Sequence, residues 1–533
     1  MHTRAAGILL HPTSLPGKFG IGTLGKYAQE FIDYLAECGF TLWQTLPLGP
    51  TSFGDSPYAS SSAFAGNPLL IDLEDLYGAY HFDPKWMEPP ETVTAEGDID
   101  FGPLVAWKLP LLKRIAAWFL GTGNDKSGFE DFKRANSEWL DDYALFTTIK
   151  EAHDKKALEA DVRGIASTWN YFWPEGLKKR GGAAIAQWQA EHADEIEAVK
   201  AVQYFFDAQW RRVKDYANQK GIAIIGDMPI FAAGDSADVW AHKDLFQLDE
   251  DAKQTACAGV PPDYFSKTGQ LWGNPLYRWE AHSADSFSWW KSRIRRALRL
   301  ADYVRIDHFR GFDTYWRVPA GEKTAIIGKW IQAPGTELLS ALQAEFPDLP
   351  VIAEDLGDIT PEVLALRDKF MLPGMKVMQF AFSAEEAQAH GMRNSFLPHN
   401  YTQNCVCYTG THDNDTLRGW LEENLATEDG RRTVALAAQY LFGLELEADE
   451  LSEVVADGSL AANFIATALS STASMCIIPM QDMLNLGTAA RMNEPSTTGK
   501  NWKWRLRSMD FSGALYSPAE LRHLNWLYGR SQV

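Results

Sequence analysis

The sequence predicts an α/β fold, a (β/α)8 TIM barrel with helical insertions that form a substrate cleft. Two observations support this fold class: eight short apolar runs bounded by polar residues, glycine or proline, and helical patterns between several of these runs. Runs of this length are typical of strands buried in a parallel sheet. The predicted strands are residues 7–10, 40–46, 222–225, 303–306, 351–353, 376–382, 405–409 and 475–478.

Helical spacing predicts the connections between these strands. Tyr27, Phe31 and Tyr34 recur at helical intervals after the first strand, and Gly39 is suited to end that helix. The segment 199–220 has the same kind of pattern before the third strand. Eight such units indicate a closed barrel. A doubly wound open sheet is the alternative, although it usually has fewer strands and needs a switch point in strand order.

Residues 1–533 are predicted to form a single catalytic barrel domain with two insertions. Residues 51–200 require no strand, and their patterns predict a mostly helical insertion after the second strand. Residues 235–285, after the third strand, are predicted to form a loop insertion over the cleft. Insertions at the C-terminal face of a barrel surround its active site, so both are expected to form walls of the cleft.

Composition excludes several classes of partner. The net charge of −20 opposes binding to nucleic-acid phosphates and to anionic membrane surfaces. No apolar run reaches the roughly 18 residues that a membrane-spanning helix needs, and the N-terminal residues are not expected to act as a signal peptide. The five cysteines are an odd number in a long chain, which favours a reducing, cytoplasmic location over a disulfide framework.

Acidic residues follow five of the eight predicted strands. Asp227, Asp307, Glu354, Asp413 and Asp482 occupy these positions. A single Asp after a strand is more often a helix cap or a turn residue. Because barrel enzymes place their catalytic residues at the C-terminal ends of strands, five such residues together predict an active site.

Facing carboxyl groups are suited to cleavage of a glycosidic bond, in which one protonates the leaving oxygen and another attacks the sugar. Arg305 precedes Asp307 by two residues, so both share one strand face and the guanidinium can keep Asp307 ionised. Neighbouring carboxylates are expected to raise the pKa of Glu354 and keep it protonated. His412 offers a donor for sugar hydroxyls beside Asp413. Abundant Trp and Tyr weakly favour a carbohydrate partner.

Other motifs in the chain do not predict a cofactor. Residues 20–25 match G-x-G-x-x-G, but nine residues separate them from the preceding strand, which opposes dinucleotide binding. The acidic residues 249–251 lack the spacing of a calcium loop, and no Cys or His pair has zinc-ligand spacing. No G-x-S-x-G elbow accompanies His412 and Asp413, which argues against a serine hydrolase.

Ordered motifs extend over most of the chain. They are GILLHPTSLPG (7–17), SPY (56–58), SAFAGNP (62–68), GDMPIF (226–231), GVPPDYF (259–265), GQLWGNP (269–275), VRIDHFRG (304–311), AEDLG (353–357), GTHDN (410–414) and ARMN (490–493). In these motifs the chain resembles the amylomaltases, the disproportionating 4-α-glucanotransferases of glycoside hydrolase family 77. Asn485 departs from the pattern, because the family often has Gly there, and is expected to alter the loop near the acceptor side.

The resemblance implies roles for specific residues. Asp307 would be the nucleophile, Glu354 the acid/base and Asp413 the stabiliser of the transition state. The residues that would bind substrate are Tyr58, Asp227, Arg305, His412, Trp272 and Ser56. Trp272 lies in the segment that resembles the family's flexible loop over the cleft. The resemblance further implies α-1,4-glucans and maltooligosaccharides as substrates, and neither a metal nor an organic cofactor.

Two alternatives to transfer remain at this stage. The first is hydrolysis of α-1,4-glucans by an enzyme of the α-amylase type, because water can intercept the same intermediate. Residue chemistry alone does not separate these two, and only the resemblance favours transfer. The second is a non-catalytic barrel that binds glucans, against which the intact set Asp307, Glu354 and Asp413 argues.

Overall fold

A computed structural model describes residues 4–122, 125–262, 266–383 and 389–531; residues 263–265 of the GVPPDYF motif lie outside these ranges. The strands within the described ranges are β1 (Ala5–Leu9), β2 (Leu42–Gln44), β3 (Ala223–Pro229), β4 (Ala256–Val260), β5 (Gln270–Pro275), β6 (Tyr303–Asp307), β7 (Thr314–Pro319), β8 (Lys329–Gln332), β9 (Val351–Ala353), β10 (Gly374–Val377), β11 (Cys405–Tyr408) and β12 (Met475–Pro479).

The predicted (β/α)8 barrel is confirmed. Among the described residues, eight parallel strands form one sheet in the order β10-β11-β12-β1-β2-β3-β6-β9. The strands at the two ends of this order, β9 and β10, also meet. The Ala353 N–H at the end of β9 donates to the Pro373 carbonyl, next to β10, at 2.9 Å. Each of the eight predicted strands is present. The predicted bounds of the sixth were wrong, because β10 ends at Val377 and Met378–Phe382 form a 3-10 helix.

Side chains of the barrel strands alternate between two hydrophobic clusters, as a two-residue repeat requires. Ile224 and Val304 belong to the cluster that includes the surrounding helices. Ile225 and Met375 belong to a second cluster that joins strand to strand. Arg305 lies on this inner side, with its Nε 3.4 Å from the Met375 sulfur. Residues with the parity of Arg305 on β6 therefore point into the barrel, and Asp307 reaches its mouth.

Helices surround the barrel and fill most of the chain between β2 and β3. The α-helices of the described ranges are Lys26–Glu37, Leu73–Tyr80, Phe101–Thr122, Lys126–Ala135, Leu140–Glu159, Trp169–Phe172, Glu175–Lys178, Gly182–Glu191, Ala193–Gln219, Ala237–Ala241, Trp279–Ala284, Ser288–Leu300, Gly335–Glu345, Pro361–Lys369, Leu417–Leu425, Glu428–Phe442, Ala448–Ala456, Ser459–Ser470, Met480–Met483 and Pro518–Leu527. None of the helices in these ranges is both long and apolar enough to cross a membrane.

A second sheet follows β3, and the sequence did not predict it. Its four strands pair antiparallel in the order β5-β4-β7-β8. Two of them lie within residues 235–285, which were predicted as a loop, and the other two follow β6. The 235–285 insertion is therefore not a loop throughout, because Trp272 lies on a strand of this sheet.

Candidate active site

Arg305 organises the carboxylates at the ends of β3 and β6. These strands are neighbours, and their register places Asp227 opposite Arg305. Nη1 of Arg305 donates to both oxygens of Asp227 at 2.9 and 2.8 Å, and Nη2 donates to Asp307 Oδ1 at 2.9 Å. Burial lowers the pKa of Arg305, but the two carboxylates more than offset burial and raise it well above its ordinary value. Arg305 is thus a permanent cation that orients Asp307.

Tyr58 and His412 lie next to Asp227 and form one wall of the site. The Tyr58 hydroxyl donates to Asp227 Oδ2 at 2.8 Å. Its ring stacks on the His412 imidazole, with ring centroids 5.1 Å apart and planes 14° from parallel. The structure therefore brings Tyr58, Asp227, Arg305 and His412 together beside Asp307. Their flat rings and paired charges form a surface that can stack against a sugar and bind its hydroxyls.

Glu354 follows β9, the neighbour of β6, and faces Asp307. Its Oε2 accepts the backbone N–H of His308 at 2.7 Å, and its Oε1 accepts the N–H of Leu356 at 2.9 Å. Desolvation is the largest cause that raises the pKa of Glu354, to about 8; Asp307 adds to it, and Arg305 and the two N–H donors oppose it. The raised pKa favours the protonated form of this carboxyl group at neutral pH. The sequence argument gave like charges as the reason for this shift, whereas desolvation is the larger cause.

Asp413 is held by two residues to which the sequence argument gave no role. Asn493 Nδ2 donates to Asp413 Oδ1 at 2.6 Å, and Arg491 Nη2 donates to the Asp413 backbone carbonyl at 2.7 Å. His412 Nε2 lies 3.4 Å from the same Oδ1 atom. The only signal for Asn493 and Arg491 in the sequence was the ARMN motif after the last strand. These residues lie near Asp413 because β12, which they follow, pairs with β11, which precedes Asp413.

Ser56 and Trp272, the other predicted substrate-binding residues, have different surroundings. Ser56 Oγ accepts the Tyr58 backbone N–H at 3.2 Å and thus stabilises the turn that presents Tyr58. Trp272 lies on β5 and is 37% exposed. Its ring meets the His308 ring edge to face at 4.7 Å, so it lies close to the part of the site that contains Glu354. An exposed indole at this place offers a flat surface to a ligand.

The sequence predicted neither a metal site nor a dinucleotide site. No group of three or more His, Cys, Asp or Glu side chains in the described ranges is placed to hold a metal ion. In the G-x-G-x-x-G segment, a Cβ added to Gly22 would lie 2.1 Å from the Pro12 carbonyl oxygen. Close packing against the residues after β1 therefore accounts for this glycine.

Comparison with known proteins identifies the family. The model of glycoside hydrolase family 77, described as 4-alpha-glucanotransferase, matches residues 10–510. The chain belongs to this family. The 4-alpha-glucanotransferase of Thermus thermophilus is 46% identical over 507 residues, which cover 94% of this chain and 95% of that protein. The 4-alpha-glucanotransferase of a Synechocystis species is 45% identical over 535 residues, covering 99% and 98% of the two chains.

Solved structures agree with this assignment. The amylomaltase from Streptococcus agalactiae in complex with acarbose superposes with a TM-score of 0.88 at 36% identity, covering 99% of this chain and 100% of that one. The predicted family and enzyme class are thus confirmed. Membership of this enzyme family excludes the non-catalytic alternative, and the names of the relatives do not favour the hydrolase.

Proposed function

We propose that the chain transfers α-1,4-glucan segments from a donor to the 4-hydroxyl of an acceptor glucan or glucose, by a retaining double displacement. One observation carries the mechanism: two carboxyl groups at the ends of neighbouring strands have opposite environments. Asp307 is ion-paired with Arg305, whereas the pKa of Glu354 is raised to about 8. A retaining glycosidase needs this combination of an ionised nucleophile and a protonated acid.

The first displacement breaks the donor bond. Glu354 gives its proton to the glycosidic oxygen while an oxygen of Asp307 bonds to the anomeric carbon, and the leaving glucan departs with the proton. The product is a glycosyl ester on Asp307. The transition state carries positive charge on the sugar ring, which the Asp413 carboxylate stabilises. Asn493 orients that carboxylate through its hydrogen bond to Oδ1.

The second displacement forms the new bond. Glu354, now a carboxylate, takes the proton of the acceptor 4-hydroxyl, whose oxygen bonds to the anomeric carbon as the ester to Asp307 breaks. Between the two steps Glu354 is charged, and the N–H groups of His308 and Leu356 stabilise that charge. Two inversions at the same carbon leave the α configuration unchanged.

Substrate binding is assigned to the two sides of this centre. Tyr58, Asp227, Arg305 and His412 bind the glucose that reacts, and Ser56 contributes to the neighbouring sugar on that side. Trp272 binds the acceptor. Water is far more concentrated than any sugar, so transfer prevails only if an acceptor is held in place for the second step. The exposed indole of Trp272, beside His308, supports this assignment.

The remaining features of the proposal concern the chain as a whole. Residues 1–533 form one catalytic domain, with 51–200 and 235–285 as its insertions. Its partners are α-1,4-glucans and maltooligosaccharides, and no metal or organic cofactor takes part. The location is cytoplasmic, which is supported by the five cysteines, all of them free thiols.

Incubation with maltotriose as sole substrate tests the proposal. Transfer produces glucose, maltose and a series of longer oligosaccharides, while the number of reducing ends stays nearly constant because each transfer makes one bond for each bond it breaks. The matched control is the Asp307→Asn protein, which should leave maltotriose unchanged. A steep rise in reducing ends without longer products would instead identify the chain as a hydrolase.

A further inference from the structure

His308, directly after the nucleophile, has an uncommon backbone conformation. Its φ and ψ are 58° and 51°, in the left-handed region. A residue with a Cβ adopts this region at an energetic cost, whereas glycine adopts it freely. Residues other than glycine that have this conformation are often found where function requires it.

Three hydrogen bonds join the ends of β6 and β9 around this residue. The Glu354 N–H donates to the Ile306 carbonyl at 3.1 Å, which extends the pairing of the two strands. The Phe309 N–H donates to the Glu354 carbonyl at 3.0 Å. Between them, the His308 N–H turns away from the ladder and donates to the Glu354 side chain at 2.7 Å. In a regular parallel ladder this N–H would donate to the Glu354 main-chain carbonyl, which Phe309 binds instead.

The imidazole ring is held by packing. The Trp272 ring meets it edge to face at 4.7 Å. On another side is Gly311, where an added Cβ would lie 3.3 Å from His308 Cδ2. His308 Nε2 is buried without a hydrogen-bond partner among the described residues, and burial lowers the pKa of His308 to about 4. The ring is therefore neutral at physiological pH and is retained by shape rather than by charge.

We propose that His308 is a positioning residue for Glu354: its left-handed backbone holds an N–H on the Glu354 carboxyl group and so fixes the acid/base against Asp307. The ring packs between Trp272 and Gly311, and the role proposed here does not require it. The inference rests on the proposed role of Glu354, and it assigns the effect to the main chain of His308.

This role has a measurable consequence for protonation. The charged groups that face Glu354 are Asp307, which raises the pKa of Glu354, and Arg305, which lowers it. The N–H groups of His308 and Leu356 stabilise the carboxylate and lower the pKa as well. Removing the His308 donor must therefore raise the pKa of Glu354. A hydrogen bond to a charged group corresponds to a shift of about one pH unit.

The test compares three substitutions that differ in backbone preference. His308→Gly and His308→Asn delete the ring but accept a left-handed backbone, whereas His308→Val deletes the ring and opposes that backbone. The kcat/KM of maltotriose disproportionation is measured from pH 5 to 10. We expect the Gly and Asn variants to keep the alkaline limb of the native enzyme. The Val variant should show that limb about one pH unit higher, with kcat/KM at neutral pH lower by roughly tenfold or more.

The outcomes separate this inference from the proposed function. A native enzyme without disproportionating activity would reject the function itself. A native enzyme that is active, with the same alkaline limb in all three variants, would overturn the role of His308, because loss of the ring alone would then explain any decrease. Thermal unfolding is measured for every variant. If His308→Val does not fold, His308→Ala replaces it, since Ala also disfavours the left-handed region, and an unshifted limb again overturns the inference.

Discussion

Two buried arginines at opposite ends of the barrel differ in what they bind. Arg305, at the C-terminal ends of β3 and β6, pairs with Asp227 and Asp307. Arg530 is 1% exposed and donates to backbone carbonyls, including that of Ala5 at the start of β1 at 2.8 Å and that of Ala473 before β12 at 3.1 Å. The carboxylates that bind Arg305 belong to the proposed reaction centre, whereas the carbonyls that bind Arg530 lie at the start of β1, in the last turn of the helix Ser459–Ser470 and in the segment after it.

The difference indicates that turnover and folding stability depend on charges at opposite ends of the barrel. At the C-terminal end, Arg305 is paired with carboxylates of the proposed site, so its loss should affect turnover. Charge at the N-terminal end satisfies main-chain acceptors, so its loss should affect folding. Barrel enzymes generally place function at one end and stability at the other. Substitutions at the two ends test whether catalysis and stability are separate in this enzyme.

The largest effect is expected from the two carboxyl groups that react. Asp307→Asn and Glu354→Gln should each lower kcat by several orders of magnitude, because neither amide can attack the sugar or donate a proton. Both replacements keep size and polarity, so the melting temperature should change little. Activity and thermal unfolding are measured on the same samples. Near-native turnover in either variant would remove that residue from the mechanism.

The identity of the nucleophile has an independent check. Glu354→Ala should still form the glycosyl ester with a donor whose leaving group needs no acid assistance. Mass spectrometry of the trapped protein should locate the sugar on Asp307. An adduct on Asp413 or Asp227 would reassign the nucleophile.

The same substitution at both arginines tests the comparison directly. Arg305→Lys keeps a charge but cannot bind Asp227 and Asp307 at once, so kcat/KM should fall about a hundredfold. Arg530→Lys should leave kcat/KM near the native value and lower the free energy of unfolding by roughly 2 kcal/mol, because an ammonium cannot reach all the carbonyls. Kinetics and thermal unfolding of both variants are compared. Equal losses of activity in the two would show that the ends of the barrel are not independent.

The pH dependence of the reaction should follow Glu354. The carboxyl group must be protonated for the first displacement, and its pKa is raised to about 8. The expected sign is a loss of kcat/KM as pH rises above about 8, approaching tenfold for each further pH unit. The control is Glu354→Gln, whose small residual rate should not show this limb. A native profile that stays flat to pH 10 would contradict the acid role.

The smallest effect is expected from Trp272, at the edge of the cleft. Trp272→Ala should leave bond cleavage within about threefold of native, because its ring packs against Phe231 and His308 and has no proposed part in the chemistry. The ratio of transfer to hydrolysis should fall more, since an acceptor is then held less well. Maltotriose products and reducing ends are quantified together, with Trp272→Phe as the matched control that keeps an aromatic ring. An unchanged ratio in the Ala variant would remove Trp272 from acceptor binding.

The departure at Asn485 shows how backbone geometry explains a residue choice that sequence alone does not. Asn485 has φ = 50°, in the left-handed region. Glycine and asparagine both tolerate this region, so the backbone here is compatible with either residue. The expected effect of Asn485 on the loop near the acceptor side stays a prediction. A β-branched residue at the same position would be strained.

The sequence by itself determined the barrel and the positions of its candidate reacting groups. Short apolar runs such as Val351–Ala353 form strands because they are buried on both faces, and a polar residue directly after a strand must lie at the barrel mouth. These are local consequences of composition and of the two-residue repeat. The alternation that places Arg305 and Asp307 on one face of β6 is likewise a local consequence of the two-residue repeat.

Only the tertiary structure decided the features that depend on distant partners. Several residues of strands β4, β5, β7 and β8 are partly exposed, so these strands lack the apolar signature of the barrel strands and are stabilised by pairing with one another. Asn493 reaches Asp413 from 80 residues away. The pKa of Glu354 and the left-handed turn at His308 likewise arise from desolvation and from strand neighbours brought together by folding, which no local pattern records.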